Sequence, residues 1–206
     1  MLPAIFGLSG LTLTAEEVEL IRRADPLGFI LFARNIDNPQ QVKGLTDSLK
    51  TLTGRDNLPI LIDQEGGRVA RLVPPHWRVW PPALDFAHAY AQSPERGRAA
   101  AVCNYQALAL DLAALGISVN CAPVLDVPET GAHDIIGDRA FGAEPAMVAE
   151  LGAALLEGFA LSGVVGVVKH IPGHGRALAD SHEALPRVTA SIEALNRDLA
   201  PFKALA

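Results

Sequence analysis

Five short, nearly continuous apolar runs alternate with longer helical patterns, and the chain's most reactive polar residues directly follow the runs. Together these observations predict an α/β fold of (β/α)8 TIM-barrel type, with this chain covering about the first five βα units. The runs are residues 4–8, 28–32, 58–62, 117–122 and 164–168. Lacking apolar/polar alternation, they read as parallel strands buried on both faces. Two architectures satisfy five such units in series, a doubly wound open sheet and a barrel. The barrel is favoured because Arg34-Asn35, Asp63, Asp126 and Lys169-His170 all come at or soon after strand C-terminal ends, where barrel active sites lie. No dinucleotide fingerprint follows the first strand, since Gly7 and Gly10 do not match one.

The helices carry local start and stop signals. Thr14 with Glu17 forms a capping box, and Asn38-Pro39 supplies an N-cap followed by proline at the first helical position. An Ala/Leu-rich helix spans 95–115 and stops at Gly116. Glu144-Pro145 opens another, which runs to about Ser162 and ends at Gly163, and Ser191 opens the last. The stretch from Gly66 to Pro94 reads as one long loop stiffened by Pro74-Pro75 and Pro81-Pro82.

The 206 residues suit one domain, 1–206, with a sizeable core. Half are apolar and 19% charged, which is globular composition. A net charge of −6 without any Lys/Arg run argues against nucleic acid as a partner. No apolar run approaches the roughly 20 residues needed to cross a bilayer, and residues 1–10 lack a basic n-region, so no membrane partner and a cytoplasmic location are expected. Cys103 and Cys121 lack metal-type spacing and imply no disulfide framework.

The candidate chemistry lies in two segments. Asp63-Gln64-Glu65-Gly66-Gly67-Arg68-Val69-Ala70-Arg71 follows the third strand. A carboxylate there can accept from two adjacent hydroxyls while an arginine donates through a fixed fork. The plain alternative is a strand-end salt bridge from Asp63 to Arg68 or Arg71. Lys169-His170-Ile171-Pro172-Gly173-His174-Gly175, with Asp180-Ser181-His182 after it, follows the fifth. Lys169 and His170 can both donate to a polar ligand, and Lys169 can pair with Asp63 or Asp126. Asp180, two residues before His182, can orient its imidazole, which can then give and take a proton near neutrality. Three histidines in this stretch invite a metal reading, but Pro172-Gly173 breaks the helix that zinc spacing would need, so no metal and no cofactor are expected.

The second segment closely resembles the β-N-acetylhexosaminidase branch of glycoside hydrolase family 3. Supporting matches are Asp63 to Arg71, Arg71-Leu72 before Pro74-Pro75-His76, Asn120-Cys121-Ala122-Pro123-Val124-Leu125-Asp126-Val127 and Ile136-Gly137-Asp138-Arg139-Ala140-Phe141. Their order and spacing over most of the chain make the match specific. The resemblance implies a (β/α) barrel that removes terminal β-linked N-acetylglucosamine with retention, through an aspartate nucleophile. In bacteria this branch acts in cytoplasmic recycling of cell-wall muropeptides. The implied partner is a small N-acetylglucosamine-containing glycoside. By position, Asp63, Arg71, Arg139, Lys169 and His170 would hold the sugar, and His182 would be the general acid/base supported by Asp180. Trp77 and Trp80 could stack on a sugar face, but packing the long loop onto the barrel is favoured.

In the family the nucleophile lies several dozen residues beyond the Asp-Ser-His loop, and the sequence does not reach that segment. Glu65 and Asp126 fall near the barrel mouth, but nothing marks either as a substitute. The expectation is therefore an open, five-stranded partial barrel, associating through exposed edges and inactive by itself. Alternatives are a non-catalytic sugar-binding decoy, a fragment without a role of its own, and an N-acetylglucosaminide phosphorylase. The last follows because an acid/base histidine is neutral after protonating the leaving group and so repels phosphate less than a carboxylate would.

Overall fold

The computed structural model describes residues 1–129, 131, 134–171, 174–177 and 185–205. It contains one parallel five-stranded sheet: β1 (Leu2–Gly7), β2 (Pro26–Leu31), β3 (Ile60–Ile62), β4 (Val119–Asn120) and β5 (Val165–Gly166). The strands lie side by side in chain order, with Phe29 opposite Ile60, Ile62 opposite Asn120, and Val119 opposite Val165. A doubly wound sheet reverses its strand order at a switch point, whereas a barrel wall does not. The order therefore bears out the barrel-type expectation.

The last strands are shorter than the apolar runs suggest. Past Asn120 comes Pro123, which has no N–H to give the ladder. Pairing resumes one step on, where Val124 bridges Lys169 and the Leu125 N–H donates to the Lys169 carbonyl at 2.7 Å. The strand tips are thus irregular just where the candidate residues sit.

Helices α1 (Ala15–Ala24), α2 (Pro39–Thr53), α3 (Ala83–Gln92), α4 (Pro94–Ala114), α5 (Pro145–Ala160) and α6 (Ile192–Leu205) cover the sheet. The capping box forms as read: Thr14 Oγ1 accepts the Glu17 N–H at 3.2 Å, and Glu17 accepts the Thr14 N–H at 2.9 Å. Asn38 caps α2 by accepting from the Gln41 N–H. Helix α3 corrects the reading of 66–94 as one loop. Its N-cap is Pro82, which offers no side-chain acceptor, so the usual start signal is missing. Among the described residues, no helix is long and apolar enough to cross a membrane.

The core gathers around Tyr105 on α4, whose ring meets Phe86, Phe141 and Phe159 at centroid distances of 5.3, 6.3 and 5.9 Å. Trp80 is buried and Trp77 packs against the same core, so both pack the long connection onto the body of the protein. The expectation of strands buried on both faces holds for β2 and β3 but not for the outer pair. Leu2 and Ile5 on β1, and Val165, Val167 and Val168 at β5, are exposed, because each outer strand has a neighbour on one side only among the described residues.

Two glycines separate packing from propensity. At Gly28 in β2 a Cβ would sit 2.4 Å from the Pro59 carbonyl oxygen, whereas at Gly44 on the exposed side of α2 it would meet nothing within 4 Å. Gly28→Ala is expected to destabilise the chain by about 1–3 kcal/mol, and Gly44→Ala to stabilise it by about 0.5–1 kcal/mol. Thermal or urea unfolding of the two variants reads the opposite signs.

Candidate active site

β3 ends at Ile62, so Asp63, Gln64 and Glu65 leave the sheet at its C-terminal edge. Gln64 is buried and braces this turn. Its Oε1 accepts the N–H groups of Arg71 (2.8 Å) and Leu72 (2.9 Å), and its backbone exchanges hydrogen bonds with the Asn120 amide at 3.0 and 2.8 Å. Gly66 follows at φ +100°, where a Cβ would lie 2.3 Å from the Pro81 carbonyl oxygen. Only glycine fits that crossing. The result is a folded-back loop that returns Arg71 to the neighbourhood of Asp63.

Around this turn three carboxylates meet three cations and an imidazole. Lys169 Nζ donates to Asp63 at 2.9 Å and lies 2.5 Å from Glu65 Oε1. Arg139 forks onto Glu65, with Nε and a terminal nitrogen at 2.8 and 2.9 Å. Arg71 reaches Asp63 at 3.6 Å. His170 lies with Nδ1 2.7 Å from Asp126 and Nε2 3.3 Å from Arg139. Burial works against the charge on Arg139, but the hydrogen bonds and charge of Glu65, aided by Asp126 and Asp63, outweigh it and raise its pKa. All of these groups except Asp126 line a cavity of about 270 Å³, together with Val69, Ile135 and His174.

The structure thus brings Asp63, Arg71, Arg139, Lys169 and His170 together. His182 and Asp180 lie outside the described residues. Arg34 and Asn35, also read as strand-end polar residues, turn instead to the N-terminal loop and donate to the Leu8 carbonyl at 2.7 and 3.2 Å. Arg68 leaves Asp63 to Arg71 and pairs with Asp138 at 2.8 Å. Of the two carboxylates considered for Lys169, Asp63 takes it, while Asp126 takes His170. Glu65 was not singled out as an organiser from the sequence, yet it bridges both Arg139 and Lys169 and is only 7% exposed. A glutamate beside two glycines at a strand end was the available signal.

A second ion pair anchors the segment that continues toward 178–184. Arg176 forks onto the buried Asp198 of α6 at 2.5 and 2.8 Å and also pairs with Glu129. The Gly175 carbonyl accepts the Glu129 N–H at 2.9 Å. Arg176→Ala leaves the Asp198 charge buried without its guanidinium, an expected loss of about 3–5 kcal/mol. The double variant Arg176→Ala/Asp198→Ala should recover part of it, as thermal unfolding will show. Near the cavity, burial pushes the Cys121 thiol up to about 11, with Asp63 adding to the effect. Below that value the thiol is neutral and unreactive. Iodoacetamide at pH 8 should therefore modify exposed Cys103 well before Cys121, and the Cys121 rate should climb about tenfold per pH unit toward pH 11, followed by peptide mass spectrometry.

Comparison with known proteins places the chain in a family. The model of the glycosyl hydrolase family 3 N terminal domain matches residues 6–206. A beta-hexosaminidase of Alkalilimnicola ehrlichii is 39% identical over 99% of the chain, and one of Pseudomonas aeruginosa is 38% identical over 98%. The chain spans 58% of the length of each. The structure of NagZ from Neisseria gonorrhoeae in complex with N-trifluoroacetyl-D-glucosamine superposes with a TM-score of 0.92 at 35% identity, over 99% of this chain and 60% of that one. With its five-stranded barrel-type sheet and its charged strand tips, the chain belongs to glycosyl hydrolase family 3, whose N-terminal domain it carries.

Proposed function

We propose that this chain supplies the sugar-holding half of a retaining exo-β-N-acetylglucosaminidase. The carrying observation is the 270 Å³ cavity at the strand C-termini, where Asp63, Lys169, Arg139, Arg71 and His170 converge. Asp63 would accept from neighbouring sugar hydroxyls, with Lys169 and Arg71 holding its carboxylate in place. Lys169 and Arg139, already committed to carboxylates, keep spare N–H groups for ring oxygens. The relatives named beta-hexosaminidase, and the glucosamine derivative bound to the Neisseria gonorrhoeae protein, support this ligand class.

In this reading His182, oriented by Asp180, is the general acid/base, and an aspartate nucleophile comes from beyond the segments described. Assignment to muropeptide recycling in the cytoplasm rests on the family resemblance alone. Whether the glycosyl-enzyme passes to water or phosphate depends on the acceptor offered. A sugar-binding role without catalysis is the second reading. One observation favours it: Asp63 and Glu65, the carboxylates that line the cavity among the described residues, are both engaged by cations. Neither stands free as a nucleophile.

Calorimetry and an assay on the 206-residue chain test both parts. N-acetylglucosamine should release heat on binding, and Asp63→Ala should abolish it. An aryl N-acetyl-β-glucosaminide should not be turned over by this chain alone. Absence of binding would sink the sugar reading, and clear turnover would place a working nucleophile within these residues.

A further inference from the structure

Asp126 does not itself line the cavity but sits against His170, which does; its side chain is fully buried and, among the described residues, it pairs with no lysine or arginine. Its Oδ2 accepts from the His170 backbone N–H at 3.3 Å and lies 2.7 Å from the His170 Nδ1. Its Oδ1 is buried and has no hydrogen-bond partner among the described residues. A buried carboxylate with one oxygen unused is costly, and it is tolerated where it does something no apolar residue could.

The imidazole shows what that is. Its other nitrogen, Nε2, faces a terminal nitrogen of Arg139 at 3.3 Å, and a guanidinium can only donate. If Nε2 carried the proton, two N–H groups would oppose each other there, while the bare Nδ1 would face the carboxylate of Asp126. Both contacts would be repulsive. A doubly protonated ring would keep the first clash. With the proton on Nδ1, both contacts are hydrogen bonds. The His174 ring, edge-on at 5.5 Å, closes a third side of the imidazole.

We infer that Asp126 is a positioning residue that holds His170 in the Nδ1–H form and thereby turns a hydrogen-bond acceptor, Nε2, toward Arg139 and the cavity. The sequence suggested that His170 donates to a ligand, whereas the geometry makes it an acceptor. At 3.3 Å the contact with Arg139 is at the long end for a hydrogen bond. A ligand hydroxyl or amide N–H meeting Nε2 therefore donates to it in competition with Arg139. The tautomer stands on this geometry alone, while the ligand class rests on the sugar reading above.

Long-range proton–nitrogen NMR of the 15N-histidine-labelled chain tests the inference, with the His170 signals assigned by their loss in His170→Gln. The expected spectrum shows Nδ1 protonated and Nε2 bare. A proton on Nε2 overturns the inference. In Asp126→Ala the population should shift toward Nε2–H, and N-acetylglucosamine affinity should fall at least fivefold. Asp126→Asn, whose amide oxygen can still accept from Nδ1–H, should keep the tautomer. An unchanged His170 spectrum in Asp126→Ala also overturns the inference. Should that variant fail to fold, the wild-type and Asp126→Asn spectra decide. A chain that shows the Nδ1–H form but binds no sugar refutes the ligand class and leaves the positioning role standing.

Discussion

Glu65 between Lys169 and Arg139 is the interaction on which the site depends. It joins three stretches of chain that nothing local would bring together: the turn after β3, the connection between β4 and α5, and the tip of β5. Each side chain is largely buried, at 7% exposure for Glu65, 10% for Arg139 and 14% for Lys169. Taking such charges out of water costs several kcal/mol per ion, and only close, forked geometry offsets it. The web is therefore weak evidence for overall stability and strong evidence for placement. It sets where the cavity walls stand.

The rest of the architecture serves that placement. The buried Gln64 and Asn120 tie β3 to β4 through paired amide contacts, so Asp63 and Glu65 leave a rigid base. Gly66 and Gly67, pressed against Pro81 and Pro82, hold the return loop onto the long connection that Trp80 buries. On the far side, Arg176 and Asp198 fasten the post-β5 segment to α6. Strand tips, turn and helix thus converge on one small volume, as preorganised recognition of a polar ligand requires.

What could be read in the sequence were features whose cause is local. The Thr14–Glu17 box, the Asn38 cap and the glycine stops act within a turn of helix, so they can be seen without partners. The strand-end placement of Asp63, Lys169 and His170 followed from apolar runs ending abruptly. Helix α3 could not be seen, because Pro82 caps it without a side chain and its buried Phe86 gains meaning only from Tyr105. The apolar patterns of β1 and β5 do not differ from those of inner strands, and only the count of five strands pointed to open edges there. Glu65 and Asp126 escaped assignment because their roles are set by Arg139, Lys169 and His170, which are far along the chain. The direction of the His170 hydrogen bond needed both neighbours in space.

A double-mutant cycle across Glu65 and Lys169 tests this account most directly. Unfolding free energies would be compared for Glu65→Gln, Lys169→Met and the pair together. If the buried web organises the site, the two changes should couple by about 1–3 kcal/mol, the double variant losing much less than the sum of the singles. Strict additivity would contradict the account, because it would mean that the two side chains hold their positions independently.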